Sequence, residues 1–331
     1  MNTGNEQTET HSRLMHGMAV LTVVVSLLPI LVGAITTTLD AGMAFPDWPT
    51  SDGYGMLTYP WLRSAGDQFV EHGHRLAGML IGFVSIGLAG VALRYEPRKW
   101  VRVLSYLVLL AVICQGLLGG SRVRLDARVL AMIHGSFAAV VFSLMGVVAL
   151  VTGRRWRNPV ATASQPAESW NQVVSALRSL AVITSVLVFC QFLAGGFVRH
   201  LHTALHEHLG LAILVTILSF VLTFRAARLP VGWLKWPALA LGGVVLLQIL
   251  LGAGAWVTRF GFATTGYVAV YHSPAQIWLR TAHTLGGMLV LMAAVTLACR
   301  VYRLAWLYSP AAARPERATA HHSATFSRGA S

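Results

Sequence analysis

The stretch His74-Arg-Leu-Ala-Gly-Met-Leu80 recurs near the other end of the chain as His283-Thr-Leu-Gly-Gly-Met-Leu289. Both copies read His-x-Leu-small-Gly-Met-Leu, and both lie just inside the start of a long apolar run. An ionisable residue within an apolar membrane segment is costly, so a histidine repeated at one depth predicts a functional site. The repeat also predicts that the chain is built from two related halves.

The composition is that of an integral membrane protein. Of the 331 residues, 55% are hydrophobic and only 11% are charged, and the mean hydropathy is +0.63. Apolar runs of about 18 residues or more are typical of membrane spans. The sequence contains eight such runs, at residues 17–38, 74–93, 103–121, 130–152, 176–198, 205–224, 235–257 and 281–304. Because backbone in lipid must satisfy its own hydrogen bonds, and these runs lack the alternation of barrel strands, we predict an all-α polytopic membrane protein with eight transmembrane helices.

We expect these helices to form two pseudo-symmetric four-helix bundles, an N-terminal half at 17–155 and a C-terminal half at 176–305. The flanking segments are predicted to be an N-terminal cytoplasmic segment at 1–16, a cytoplasmic linker at 156–175 and a disordered cytoplasmic tail at 306–331, which is rich in Pro, Ala, Arg and Ser. The long outer loop at 39–70 contains Phe45-Pro-Asp-Trp-Pro49 and is expected to fold over the mouth of the bundle.

The distribution of basic residues predicts the orientation of the chain in the membrane. Most of the 25 lysines and arginines fall in segments that would share one side of the membrane with both termini. The positive-inside rule therefore predicts cytoplasmic termini and a multi-pass location in the cell's inner (plasma) membrane. Because the basic residues lie at helix ends rather than on one soluble face, nucleic-acid binding is excluded. The three cysteines lie within apolar runs, where packing is the expected role.

A second repeat lies near the outer ends of the odd-numbered spans. Cys114-Gln115-Gly-Leu-Leu-Gly119-Gly120 recurs as Cys190-Gln191-Phe-Leu-Ala-Gly195-Gly196, with a weaker copy at Gln248-Ile-Leu-Leu-Gly252. Glycine allows helix backbones to approach closely in lipid. The pattern predicts a repeated hairpin: an odd helix with Gln and Gly, an outer loop with arginine, and an even helix with histidine. The first span offers only Gly33 and Thr36-Thr37-Thr38.

The even-numbered spans place histidines at a matched depth near the outer boundary. His74, His134 and His283 lie in the second, fourth and eighth spans, and the sixth offers His206 or His208. We favour His208, which like His134 is followed by alanine four residues later, although His206 keeps the glycine found after His74 and His283. Two facing neutral imidazoles on a helical bundle are typical axial ligands of heme iron. The remaining outer histidines are expected to be solvated loop residues: His72, which would precede its helix, His200, His202 and His272.

Charged residues surround these histidines at the outer mouth. Glu71 precedes His74 by three residues and therefore shares its helix face, where a carboxylate could move protons or stabilise positive charge. Arginine binds carboxylates such as heme propionates through paired hydrogen bonds. The candidate propionate ligands are Arg75, Arg122, Arg124, Arg199 and Arg259. Interfacial arginines that extend towards water are the alternative reading.

These residues together resemble the heme A synthase family, the CtaA type and its mitochondrial relatives, over about residues 15–305. The most specific match is Glu71-x-x-His74-Arg75, followed by the loop Ala41-Gly-Met-Ala-Phe-Pro-Asp-Trp-Pro49. Gln115-Gly-Leu-Leu-Gly-Gly and the histidines of the even spans also match. The chain departs from the family pattern in having no cysteine pair between 39 and 70, in Thr36-Thr37-Thr38 where the family has Thr-Arg, and in a short loop before the sixth span.

The resemblance implies a membrane oxidoreductase for cytochrome oxidase assembly, which converts the methyl group at pyrrole position 8 of heme O to the formyl group of heme A. Carried over to this sequence, His74 and His134 would flank the substrate heme O, with Glu71 at its reacting edge. His208 and His283 would hold a retained heme b. The implied partners are a heme O synthase and cytochrome oxidase assembly factors, and the electron acceptor is left open.

Two other functions fit the repeats. The first is a di-heme b-type cytochrome that passes electrons without modifying its heme. The second is a transporter with repeated halves that uses histidines as a proton relay.

Overall fold

The structure, a computed structural model, describes residues 3–157 and 168–307. Within these ranges the chain is almost entirely helical, and eight helices are long and apolar enough to cross a membrane. They are α1 (Thr3–Thr38), α2 (Gly66–Tyr95), α3 (Lys99–Arg124), α4 (Arg128–Thr152), α5 (Glu168–Gly196), α6 (Leu205–Ala227), α7 (Gly232–Phe260) and α8 (Pro274–Leu307). The predicted all-α polytopic fold with eight spans is confirmed, and the helices extend beyond the predicted apolar runs at most ends.

Short irregular segments join the long helices. A one-turn helix, Arg154–Arg157, follows α4, and a π-helical turn, Phe197–Leu201, extends α5. Single 3-10 turns at Trp61–Arg63 and Ala263–Thr265 lie in the two loops that precede α2 and α8. The predicted tail at 306–331 falls mostly outside the described residues. Half of the predicted linker at 156–175 does so too, and its residues 168–175 belong to α5.

Each group of four helices closes on itself. In the first group α1 packs on α2, α2 on α3, α3 on α4 and α4 back on α1, and α5–α8 pack on one another in the same cyclic order. The two groups meet where α4 and α1 pack against α8. At this junction a Cβ on Gly146 would lie 2.6 Å from Cγ of Met292, so glycine permits the close approach of α4 and α8. The symmetry between the halves, and their boundaries at 17–155 and 176–305, stay predictions.

The outer loop between α1 and α2 folds over the end of the first group, as predicted. Phe45 is fully buried, and its ring packs edge-on against Tyr59 with centroids 5.1 Å apart. Asp47 accepts hydrogen bonds from the backbone N–H groups of Asp52 and Gly53 at 2.9 Å. Partial burial opposes ionisation of this carboxylate, but these bonds and the Thr50 hydroxyl outweigh it and lower the pKa of Asp47 to about 2. The loop is therefore internally ordered.

The prediction that His72 is a solvated loop residue is wrong. Because α2 begins at Gly66, His72 lies inside the helix and is 1% exposed. Its Nδ1 lies 2.9 Å from Oγ of Ser51, and its Nε2 lies 3.1 Å from the carbonyl oxygen of Met56. His72 thus binds the outer loop to α2. The prediction was wrong because it took the start of the apolar run as the start of the helix. The helix begins eight residues earlier, at Gly66, in a stretch with polar residues.

Replacing Phe45 with alanine should loosen the outer loop, because loss of a fully buried phenylalanine ring costs about 3–5 kcal/mol. Amide hydrogen exchange across residues 41–56 of the purified full-length protein should accelerate. Leu57→Ala is the matched control, since Leu57 lies in the same loop but is 75% exposed. Exchange that is equal in the two variants would contradict the anchoring role of Phe45.

Candidate functional site

The structure brings the predicted histidines together as two facing pairs. The rings of His74 and His134 have centroids 6.3 Å apart with planes at 87°. The rings of His208 and His283 have centroids 6.4 Å apart with planes at 88°. His206, the open alternative on α6, is exposed to the surroundings of the bundle. The geometry therefore selects His208 as the partner of His283.

Each of the four imidazoles lies against a glycine of the preceding odd-numbered helix. A Cβ built on the glycine would lie between 2.6 and 3.3 Å from Cε1 of the ring. The four contacts are Gly33 with His74, Gly119 with His134, Gly195 with His208, and Gly252 with His283. Any larger residue would push the ring away, so these glycines set the position of the imidazoles. The predicted hairpin of odd-helix glycine and even-helix histidine is present four times.

The same contacts orient the two nitrogens of each ring. In all four cases Nε2 is the ring nitrogen farther from the glycine. Nδ1 of His208 lies 3.3 Å from the carbonyl oxygen of Gln191, four residues before Gly195. The other three rings face the equivalent carbonyl groups in looser geometry, those of Pro29, Gln115 and Gln248. Nδ1 of each of these three is buried without a standard hydrogen bond among the described residues.

The repeated glutamines add a second link between the helices of each hairpin. The amide Nε2 of Gln115 donates to the backbone carbonyl of His134 at 3.1 Å, and that of Gln248 donates to the carbonyl of His283 at 2.9 Å. The amide of Gln191 lies 3.1 Å from Nδ1 of His208 instead. In α1 the corresponding position is Pro29, so only this hairpin lacks the glutamine contact. The motif Gln-x-x-x-Gly therefore holds the histidine-bearing helix at a fixed height.

The spacing within each pair fits two nitrogens on opposite sides of one metal ion. With a metal–nitrogen distance of about 2 Å, as zinc-bound imidazoles show, and about 1 Å from nitrogen to ring centre, the centroids would be about 6 Å apart. Ligating histidines usually direct their other ring nitrogen at a carbonyl or carboxylate, which matches the placement of Nδ1 here. Within the described residues, His, Cys, Asp and Glu side chains form no cluster of three or more that could hold a metal. A pair of imidazoles suits an iron whose remaining ligands come from a porphyrin.

Glu71 is buried beside the first pair and is already engaged. It is 2% exposed, one oxygen accepts from Nη2 of Arg75 at 2.8 Å, and the other accepts from the backbone N–H of Phe45 at 3.2 Å. Glu71 is therefore not a solvated residue of the membrane interface. Both oxygens thus have donors, which fix the orientation of the carboxylate beside the first histidine pair.

Three of the five predicted arginines bind backbone carbonyl groups. Arg75 donates to the carbonyls of Asp47 and Thr50 at 2.9 and 2.5 Å, and Arg122 donates to that of Gly42 at 2.5 Å. These two residues fasten the outer loop to α2 and α3. Their assignment to heme propionates stays a prediction, since the structure gives each guanidinium a protein partner.

Arg199 joins the two groups of helices. Its Nη2 donates to the carbonyl of Ala34 at 2.6 Å and to Oγ1 of Thr38 at 2.9 Å, both on α1. Its Nη1 donates to Oγ1 of Thr284 on α8 at 2.7 Å. Ala34 follows Gly33, which packs on His74, and Thr284 follows His283. One guanidinium thus links residues that adjoin both histidine pairs.

The other two predicted arginines are less enclosed. Arg124 is exposed, and Arg259 is half-buried with its guanidinium 5.9 Å from the ring centre of Tyr271. Sequence reasoning missed Arg280, which lies on α8 close enough to interact electrostatically with Arg199, Arg259 and Asp40. It lies one helical turn before His283, so the spacing that singled out Glu71 could have found it. Arg199, Arg259 and Arg280 give the second pair a cationic outer rim.

His200, expected to be a solvated loop residue, lies in the π-helical turn and is half-buried, with its Nε2 near Gly135 of α4. His200 differs from the expectation because it belongs to this turn, which packs against α4, rather than to a loop. His202 is exposed as expected. His272 is half-buried, with Nε2 3.8 Å from the carboxylate of Asp40.

A family model described as "Cytochrome oxidase assembly protein" matches residues 16–208. The match covers more than half of the chain and includes His74, His134 and, at its last residue, His208. His283 lies beyond the matched range, so its assignment depends on the geometry of the second pair. No individual protein with a curated description matches the chain.

Gly252→Ala should displace the ring of His283, because the new Cβ would lie 2.9 Å from its Cε1. If the pair holds heme as the sequence predicts, the Soret and α absorption bands of the purified protein should weaken. Gly243→Ala on the same helix is the control, since its Cβ would meet no described atom within 4 Å and alanine stabilises a helix by roughly 0.5–1 kcal/mol. Unchanged bands in Gly252→Ala would contradict a metal-binding role for the second pair.

Proposed function

Because the chain belongs to the cytochrome oxidase assembly protein family, we propose that it is a heme A synthase-type membrane oxidoreductase. It takes part in cytochrome oxidase assembly. The proposed reaction oxidises the methyl group at pyrrole position 8 of heme O to the formyl group of heme A. It takes one oxygen atom from water and releases four protons and four electrons, which would pass to an electron acceptor. The observation that carries this proposal is the presence of two histidine pairs, each spaced for a six-coordinate iron and each held by the same glycine contact.

The two pairs differ in ways that suggest different roles. The first pair lies beneath the ordered outer loop and beside the buried Glu71–Arg75 ion pair, which suits a site that must enclose and act on its substrate. We assign the substrate heme O to His74 and His134. The second pair has the arginine rim of Arg199, Arg259 and Arg280. The buried carboxylates of the described residues, Glu71 and Glu96, both belong to the first group of helices. We assign a retained heme b to His208 and His283; when bound, it would supply one-electron redox chemistry.

Glu71 would act through its charge. Its position three residues before His74 places it on the same face of α2, at the edge of the substrate site. Oxidation of a methyl group builds positive character on the carbon, and a preorganised carboxylate in a site of low polarity stabilises such charge strongly. The Arg75 guanidinium and the Phe45 amide fix the carboxylate in place, so little reorganisation is needed.

Eight membrane-spanning helices make the protein a multi-pass membrane protein. We propose that it lies in the plasma membrane with both termini cytoplasmic, because the basic residues concentrate at the end of the bundle that carries the termini. The histidine pairs would then lie near the outer surface. A heme O synthase would supply the substrate, and the product would pass to cytochrome oxidase assembly factors. Electrons would leave by way of the heme b site.

His208→Ala should remove most of the retained heme b, because the iron would lose one of its two protein ligands. The pyridine hemochrome assay on purified protein measures this directly. His206→Ala is the matched control, since His206 lies two residues away on the same helix and is exposed. Heme b content that falls in the His206 variant but not in the His208 variant would overturn the assignment.

Glu71→Gln should lower the yield of heme A by about 100-fold while heme binding persists, since loss of a preorganised electrostatic group typically costs that much. The measurement is mass analysis of porphyrins extracted from cells that express heme O synthase. Phe45→Ala is the control: it disturbs the same loop but keeps the carboxylate, so it should retain more activity than Glu71→Gln. A normal heme A yield in Glu71→Gln would remove Glu71 from the mechanism.

The same extraction separates this proposal from the di-heme cytochrome that only passes electrons. An enzyme produces formyl heme in cells that contain the chain and none in cells that lack it. A cytochrome leaves the extracted hemes unchanged, and that result would replace the proposed function.

A further inference from the structure

A second polar feature lies at the end of the bundle opposite the histidine pairs. It is a cavity of about 560 Å³ enclosed by the start of α1, the turn between α2 and α3, the segment that follows α4, and the end of α8. The lining residues that matter here are His11, Glu96, Arg98, Trp156, Arg157 and Arg303. The volume is within the range of about 300–1,000 Å³ typical of small-molecule sites.

One acid and one base in this cavity neutralise each other. Glu96 accepts hydrogen bonds from Nε and Nη2 of Arg98 at 2.7 and 2.8 Å, in a bidentate pair. Nη1 of Arg98 donates to the carbonyl of Val151 at 2.9 Å, which ties the pair to the end of α4. Glu96 is the one acidic residue of the cavity lining. No acid lining the cavity is left to balance its other two arginines.

Arg157 and Arg303 are the unbalanced charges. Nε of each is buried and has no hydrogen-bond partner among the described residues, and neither side chain forms an ion pair there. Burial, and then the charge of Arg98, lower the pKa of the Arg157 guanidinium, while the nearby carboxylates of Glu96 and Glu9 oppose this shift without forming an ion pair with it. Buried polar groups are normally hydrogen-bonded, so unpaired guanidinium nitrogens at a cavity indicate an anionic ligand.

Aromatic rings shape the cavity for a ligand at the membrane interface. The guanidinium of Arg303 lies 5.6 Å from the ring centre of Trp156, and Trp156 packs edge-on against Trp233 at 5.9 Å. His11 lies 4.5 Å from the ring of Tyr95. Tryptophan and tyrosine are enriched at the level of lipid headgroups, and basic pockets between transmembrane helices at this level bind anionic headgroups.

We propose that this cavity binds the phosphate of an anionic phospholipid headgroup. The guanidinium groups of Arg157 and Arg303 contact the phosphate oxygens, a geometry that arginine supports with paired hydrogen bonds. The acyl chains extend into the bilayer past the aromatic rings. Binding requires only the cavity itself, whereas its placement in the cytoplasmic leaflet rests on the topology proposed above.

Native mass spectrometry of the purified full-length protein tests the proposal. The protein is delipidated in detergent and titrated separately with phosphatidylglycerol, phosphatidylcholine and inorganic phosphate. We expect phosphatidylglycerol to bind in preference to phosphatidylcholine. Arg157→Gln and Arg303→Gln should each weaken its binding about fivefold, the effect expected of one basic residue near a membrane surface.

Arg225→Gln is the matched control, because Arg225 is an exposed arginine near the end of α6 on the same side and does not line the cavity. Its affinity for phosphatidylglycerol should equal that of the wild type. Circular dichroism and the heme spectrum of each variant verify folding. Any variant that fails this check is replaced by the corresponding Arg→Lys substitution, which keeps the charge but loses the paired hydrogen bonds and should therefore also weaken phosphatidylglycerol binding. Equal binding of the two lipids, or equal weakening in the control, would overturn the proposal. Inorganic phosphate that binds without lipid and loses affinity in the two variants would overturn the lipid assignment in favour of a soluble anion.

Discussion

The contact between an imidazole and a glycine of the preceding helix is the constraint on which the candidate sites depend. It occurs four times, on α1, α3, α5 and α7. At Gly33 and Gly252 the ring lies too close for any side chain, and at Gly119 and Gly195 a Cβ would require the ring to shift slightly. The contact brings two helices close together in lipid, where hydrophobic burial does not drive association and close packing must do so. It also turns Nε2 away from the neighbouring helix and places Nδ1 near a carbonyl group. The same imidazole–glycine contact therefore determines both how closely the helices pack and how each imidazole is oriented.

A second constraint fixes the outer loop to the helices. The buried Glu71–Arg75 pair lies one helical turn along α2 and connects outward to Phe45, Asp47 and Thr50. Removing either partner of a buried ion pair typically costs about 3–5 kcal/mol, since the other charge is left without compensation. Here the pair also organises the loop backbone, because the guanidinium satisfies carbonyl groups that would otherwise be buried without donors. The residues proposed for chemistry and the residues that close the site thus form one network.

Arg199 gives the two histidine pairs a common mechanical link. It lies in a π-helical turn, and such turns are rare and often occur at functional sites. Its bonds reach α1 beside Gly33 and α8 beside His283, so a displacement of either helix would alter both pairs. Under the proposed function, electrons would pass between hemes at the two pairs, and such transfer requires a fixed distance between them. A half-buried arginine with three acceptors on two helices supplies such a restraint.

Local chemistry in the sequence was enough to predict much of this protein. Eight long apolar runs determine eight spanning helices, because backbone in lipid has few alternatives. The repeated His and Gln-x-x-x-Gly motifs indicate which residues meet, because their spacing along a helix fixes the face and the depth. Tertiary structure alone decided the matters that depend on distance across the chain. It selected His208 over His206, since only His208 faces Gly195, and it buried His72 and Glu71 under a loop whose path no helical period specifies. In the folded protein, three arginines predicted to bind heme propionates donate hydrogen bonds to backbone carbonyl groups; they are Arg75, Arg122 and Arg199. A guanidinium binds the nearest suitable acceptors, and which acceptors are nearest is determined only once the helices have packed.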